Sequence, residues 1–110
     1  MAEITRYRGD TAPDRFTVKD VDGTVINITS YTFLLTVDEK KNPANTATQV
    51  FQIAGVIIDA VNGVVEFEPT TGNANQVPDT YWYDVQMIDP DGRITTLAKD
   101  EYIFVQDISK

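Results

Sequence analysis

The string "RYRGDTAPDRF" (6–16) sets Arg8, Gly9 and Asp10 in a row. In a protein displayed to animal cells that tripeptide can form an integrin-binding loop. Without that context it reads as the end of a strand, where Gly9 permits a bend and Asp10 and Thr11 bond to nearby backbone. The chain has no His and no Cys, so two of the usual catalytic side chains are missing. A serine nucleophile would have to be Ser30 or Ser109, and neither lies in a glycine-flanked elbow. Asp59 and Asp84 are the candidate carboxylates for glycoside hydrolysis. Both fall in strand-like stretches, where a solvated face or a cross-strand partner accounts for them. "DPDGR" (89–93) lacks the later oxygen ligands and the closing Glu of a calcium loop, and reads as a turn. Tyr81-Trp82-Tyr83 suggests a sugar-stacking platform, but alternation along a strand turns only Trp82 away from the two tyrosines. Trp82 alone is then left to stack on a ligand or anchor an interface. The constellation an enzyme needs is missing, so neither catalysis nor a cofactor is expected.

Composition narrows the partners. The 110 residues are the size of one domain, taken as 1–110, and 42% apolar content is too high for a disordered chain. Seventeen acidic against nine basic residues leave a net charge of −8. Lys40-Lys41 is the only adjacent basic pair, so the stripe needed to replace phosphate counterions is absent. Nucleic acid and anionic membrane surfaces are not expected partners. With neither Cys nor His, disulfides and the usual zinc and transition-metal ligands are missing too. No apolar run approaches the ~20 residues of a membrane span. Met1-Ala2-Glu3-Ile4 lacks the features of a signal peptide, so export is not expected.

The elements that position these residues are strands. Asp22-Gly23, Asn62-Gly63 and Asp91-Gly92 sit between β-rich stretches and suit hairpin turns. The hairpins run through "RFTVKDVDGTVINI", "VIIDAVNGVVEFEP" and "YWYDVQMIDPDGRITTLA". In the second, Val65 and Phe67 share one face and Glu66 and Glu68 the other. In the third, Tyr81, Tyr83, Val85 and Met87 oppose Trp82, Asp84, Gln86 and Ile88. Further strands are predicted at 31–37, 48–55 and 101–108. Residues 38–47 read as a loop, and 70–79 as a crossover with room for a short helix. No window has a persuasive helical period. The expected fold is all-β: an immunoglobulin-like antiparallel β-sandwich of about seven to nine strands.

"VPDTYWYDVQ" sharpens that expectation. Immunoglobulin-type sandwiches carry a tyrosine near the start of one strand, two residues before a core cysteine, and its hydroxyl bonds back to the backbone. Tyr81 stands at that offset, and Tyr83 occupies the cysteine's place, to be filled by aromatic packing.

The segment "ITRYRGDTAPDRFTVKDVDGTVINIT" resembles the opening of small β-sandwich domains of tailed-phage structural proteins, the amino-terminal domain of the baseplate upper protein above all. Arg8-Gly9-Asp10-Thr11, Phe16 to Lys19, Asp22-Gly23 and Ile28-Thr29 carry the likeness. "GVVEFEPT" and "YWYDVQMIDPDGRITTLAKDEYIFVQDIS" continue it in matching order, with Asp100 where that family has a glycine. The resemblance implies a virion component (baseplate, tail, neck or head-associated) made in the bacterial host cytoplasm. It would dock on other phage structural proteins and self-associate, with Trp82, Ile88, Arg8 and Asp10 as interface residues. Trp82 and Ile88 are expected to be exposed. The alternative is an immunoglobulin-like module that recognises a host surface glycan or protein.

Overall fold

The computed structural model describes residues 3–106. Among them are eight strands and one helical turn. The strands are β1 (Ile4–Tyr7), β2 (Asp14–Thr17), β3 (Thr32–Asp38), β4 (Gln49–Ala54), β5 (Val56–Asp59), β6 (Val64–Phe67), β7 (Asp79–Ile88) and β8 (Ile94–Val105). The helix α1 (Thr71–Ala74) lies between β6 and β7, with the Thr70 hydroxyl accepting from the Asn73 N–H as its cap. The strands form a five-stranded sheet, β1-β8-β7-β3-β4, and a three-stranded sheet, β2-β6-β5. All pairings are antiparallel except β1 on β8, which is parallel. This is the expected immunoglobulin-like sandwich. Positions 107–109, which hold the end of the predicted last strand and Ser109, lie outside the described residues.

Period-two alternation builds the core. Phe33, Leu35 and Val37 of β3, Val65 and Phe67 of β6, Tyr81, Tyr83 and Val85 of β7, and Tyr102 and Phe104 of β8 are all buried. Their rings meet edge-on, Tyr83 to Tyr102 at 6.0 Å between centroids and Tyr81 to Phe104 at 5.6 Å, the arrangement that ring quadrupoles favour. Tyr83 is 2% exposed and fills the inter-sheet space a disulfide would span. Burial pushes its phenol up to about 12. The Tyr81 hydroxyl donates to the Val77 carbonyl at 2.8 Å, closing the tyrosine corner.

The turns differ in detail from those the dipeptides suggest. A two-residue type I′ hairpin needs positive φ at both central residues. Ser30 is the only non-glycine with positive φ among the described residues, so Asp22, Asn62 and Asp91 do not adopt it. Two turns share one construction. In "DVDGT", Gly23 N–H donates to the Asp20 carbonyl, Asp20 N–H to the Thr24 carbonyl, and Asp20 Oδ1 accepts from the Asp22 and Thr24 N–H groups. "DPDGR" repeats every one of these bonds at Asp89, Asp91, Gly92 and Arg93. Each is a three-residue loop in which glycine alone takes the left-handed position (φ 84° and 86°) and the first aspartate braces the backbone. The second arm of the first hairpin is reduced to a single bridge, Lys19 with Val25, because Ile28 leaves to bond Ala60.

Candidate functional site

The candidate residues do not gather in one place. Tyr7 to Asp10 form a turn at the end of β1, with Asp10 N–H donating to the Tyr7 carbonyl at 3.1 Å and Gly9 at φ 91°. Arg8 is pinned twice: its N–H donates to Val105 and its Nε to Asn75 Oδ1 at 2.9 Å. Arg8-Gly9-Asp10 is therefore the corner where β1 ends. Trp82 and Ile88 lie on the outer face of β7, six residues and so about 20 Å apart. Both are half-buried, in contrast to the exposure expected of them. The large apolar residues that are exposed include Val56, Ile58 and Val61, in and just after the edge strand β5.

The two candidate carboxylates belong to different sheets. Asp59, on β5, accepts from the Asn62 backbone and side-chain amides, and these bonds hold its carboxyl below the usual range. Asp84, on β7, faces outward between its register partners Thr36 and Lys99. They form no catalytic pair. Ser30 sits in the turn Ile28–Tyr31 at φ 67°.

A cleft of about 260 Å³ opens beside Asp84, on the outer face of the five-stranded sheet. One wall is the 39–48 segment, folded back over the sheet by Asp38. Asp38 Oδ1 accepts from the Lys40 N–H at 2.9 Å and the Thr48 hydroxyl at 2.6 Å, which is why this carboxylate is buried where the loop starts. The tip of the segment is held by two side chains. Lys41 Nζ lies over the Trp82 ring, 5.2 Å from its centroid, and Lys99 Nζ donates to Asn42 Oδ1 at 2.6 Å. Lys40, Lys41, Lys99, Trp82 and Asp84 all line the cleft. Asp84 Oδ1 is sealed from solvent and accepts no hydrogen bond from the described residues. Burial raises the Asp84 carboxyl above its usual range, and the Lys99 charge opposes that only in part.

Sequence reading found Trp82 and Asp84 but not their setting. The polar string "DEKKNPANTA" marks a loop without saying onto which face it folds. The Asp84–Lys99 pairing depends on the β7–β8 register, which shifts between Val85 and Gln86. Arg6 was missed as well. It is buried, its Nε donating to the Tyr102 hydroxyl at 2.8 Å and its Nη2 paired with Asp14 Oδ2 at 2.8 Å. Alternation with Ile4 was the one signal, since both share the inward face of β1.

Fold and site together define an immunoglobulin-like β-sandwich with a lysine-rich cleft on the outside of its larger sheet. No protein-family model matches the chain, and no curated protein sequence matches it. Among solved structures it is similar to CopC from Methylosinus trichosporium OB3b, with a TM-score of 0.57 and 9% identity over 100% of this chain and 90% of that one. At that identity the likeness is one of fold.

These findings correct the phage resemblance. CopC, a solved structure to which the chain is similar, is not a baseplate protein, and no family or curated sequence supports a phage relative. The virion role and virion location that the resemblance implied fall with it. The residues that carried the likeness have a local explanation. Arg8-Gly9-Asp10 closes β1, and Asp22-Gly23 and Asp91-Gly92 complete two braced turns. A sandwich of this topology needs such corners whatever it does.

Proposed function

We propose that this chain is a non-enzymatic binding domain that takes a small anionic ligand into the cleft beneath the 39–48 segment. The observation that carries the reading is the convergence of Lys40, Lys41 and Lys99 on one cleft of a protein with a net charge of −8. Three of nine basic residues meet there, against two carboxylates in the same lining, Asp84 and Asp38, the latter bonded to its own loop. The local field favours an anion although the protein as a whole repels one. The likeness to CopC contributes the fold and no ligand. This chain has neither the imidazoles nor the thiols on which soft metals depend. Nucleic acid and membrane surfaces have no part in the reading, since three lysines in a small cleft do not make a basic stripe. The test is an amide and indole NMR titration with small carboxylates. Saturable shifts confined to residues 36–49, 82–86 and 99 support the reading, and shifts scattered over the surface refute it.

A second reading concerns self-association. β5 is an open edge of the smaller sheet and exposes Val56 at 60% and Ile58 at 50%. Open apolar edges invite pairing with another strand, and two copies of β5 about a two-fold axis would extend the sheet. Sedimentation of the wild type and of Ile58→Lys tests this. A dimer abolished by the lysine supports the reading, and a wild-type monomer at all concentrations ends it.

A further inference from the structure

We propose that the ligand is a small hydroxylated carboxylate, of the size and class of a single sugar acid. Its carboxylate would lie on Lys41 and Lys99, and one of its hydroxyls would donate to Asp84 Oδ1. This rests on the anion-binding reading above and narrows it. Three observations carry the narrowing.

The first is chemical. Lys41 and Lys99 both line the cleft, and each meets a neutral partner, the Trp82 ring and the Asn42 amide oxygen. A carboxylate is the stronger partner for an ammonium group. An entering carboxylate therefore competes for both lysines at once, and these are the two contacts that hold the tip of the 39–48 segment against the sheet.

The second is the orphaned oxygen. In the same lining, Asp84 Oδ1 is buried without a donor among the described residues. A buried acceptor left unsatisfied costs free energy that a donor recovers. Lys99 is its register neighbour, but the hydrogen bond its ammonium makes runs to Asn42 Oδ1 and not to Asp84. Asp84 lines the cleft, and in the proposed complex a ligand O–H donates to Oδ1 as the segment tip is drawn aside. The ligand must then carry an anionic group and a hydroxyl in one molecule.

The third is size. The cleft, at about 260 Å³, falls just below the ~300–1,000 Å³ of pockets that hold drug-sized molecules. One six-membered ring fits this scale. Trp82 offers such a ring an apolar wall, and Asn45 and Gln49, also in the lining, offer amides to further hydroxyls.

The experiment compares glucuronate with cyclohexanecarboxylate, which has the same ring size and charge and no hydroxyls. Both are titrated calorimetrically into the wild type and into Asp84→Ala. The expected result is glucuronate binding about tenfold tighter to the wild type, the worth of one charge-assisted hydrogen bond. In Asp84→Ala that preference collapses while cyclohexanecarboxylate binding persists. Equal or reversed affinities in the wild type overturn this inference and leave the anion-binding reading intact. A preference that survives in Asp84→Ala overturns the role of Asp84. Binding of neither probe overturns both inference and reading. A melting curve of Asp84→Ala, run alongside, establishes that the variant is folded.

Discussion

Arg6 Nη2 stands 2.8 Å from Asp14 Oδ2, and this ion pair joins the two sheets. Arg6 is on β1 of the larger sheet and Asp14 on β2 of the smaller. The Tyr102 hydroxyl accepts from Arg6 Nε and donates to the same Asp14 oxygen at 3.1 Å. Arg6 Nη1 donates to the Asp10 carbonyl at 2.9 Å and so fixes the chain between the strands. Burial works against the Arg6 charge, but Tyr102 and Asp14 outweigh it and its pKa lies above the usual value. Removing one partner of a buried pair strands the other, at a cost of about 3–5 kcal/mol. Arg6→Met should therefore lower unfolding stability by about that amount in denaturant titration. The double variant Arg6→Met/Asp14→Leu, which leaves no orphaned charge, should recover much of the loss.

The tyrosine corner gives a smaller and cleaner effect. Tyr81→Phe keeps the ring against Phe104 and removes only the bond to the Val77 carbonyl. Stability should fall by roughly 1 kcal/mol with an unchanged denaturant slope.

Asp84 makes a pH-dependent prediction. Its carboxyl is raised in the folded protein, chiefly by burial, so the folded state binds the proton more tightly than the unfolded chain does. The stability linked to this group is present at low pH and is lost as pH rises through the folded pKa. Asp84→Asn removes that loss. The variant should be more stable than wild type at pH 7, by on the order of 1 kcal/mol for this half-buried residue. Below the ordinary carboxylate range the advantage should vanish. Paired melting curves at pH 3 and pH 7 check both arms.

Two glycines with positive φ separate backbone strain from crowding. A Cβ on Gly92 (φ 86°) meets nothing within 4 Å, whereas on Gly63 (φ 71°) it would fall 2.7 Å from the Ile26 carbonyl oxygen and 2.9 Å from that of Val18. Gly92→Ala should cost about 1 kcal/mol for the left-handed backbone alone. Gly63→Ala should cost at least twice that, because two carbonyls must also move. Thermal melts of the two variants give the comparison directly.

Strand faces were legible in the sequence because each depends on local alternation. Val65 and Phe67 against Glu66, and Tyr81 and Tyr83 against Trp82, fall where period two puts them. The tyrosine corner was legible because its offset from the strand start is fixed. Whatever depended on distant pairing was not. The parallel docking of β1 on β8 brings Arg6 to Tyr102, 96 positions away. The fold-back of 39–48 brings Asn42 to Lys99, 57 positions away. The phage likeness failed for a related reason, since turn dipeptides report corners and corners are common to sandwiches of unrelated function.

The cleft is lined by Trp82, the single tryptophan of the chain. Its indole N–H therefore gives one assignable NMR cross-peak, which should be followed during a glucuronate titration at neutral pH. Ligand entering the cleft should give a saturating shift of that peak, matched by the backbone amides of Lys41, Asn42 and Lys99, with the amides of β2, β5 and β6 unmoved. An indole peak that stays in place up to saturating ligand, or that moves no more than the amides of the smaller sheet, would contradict binding there.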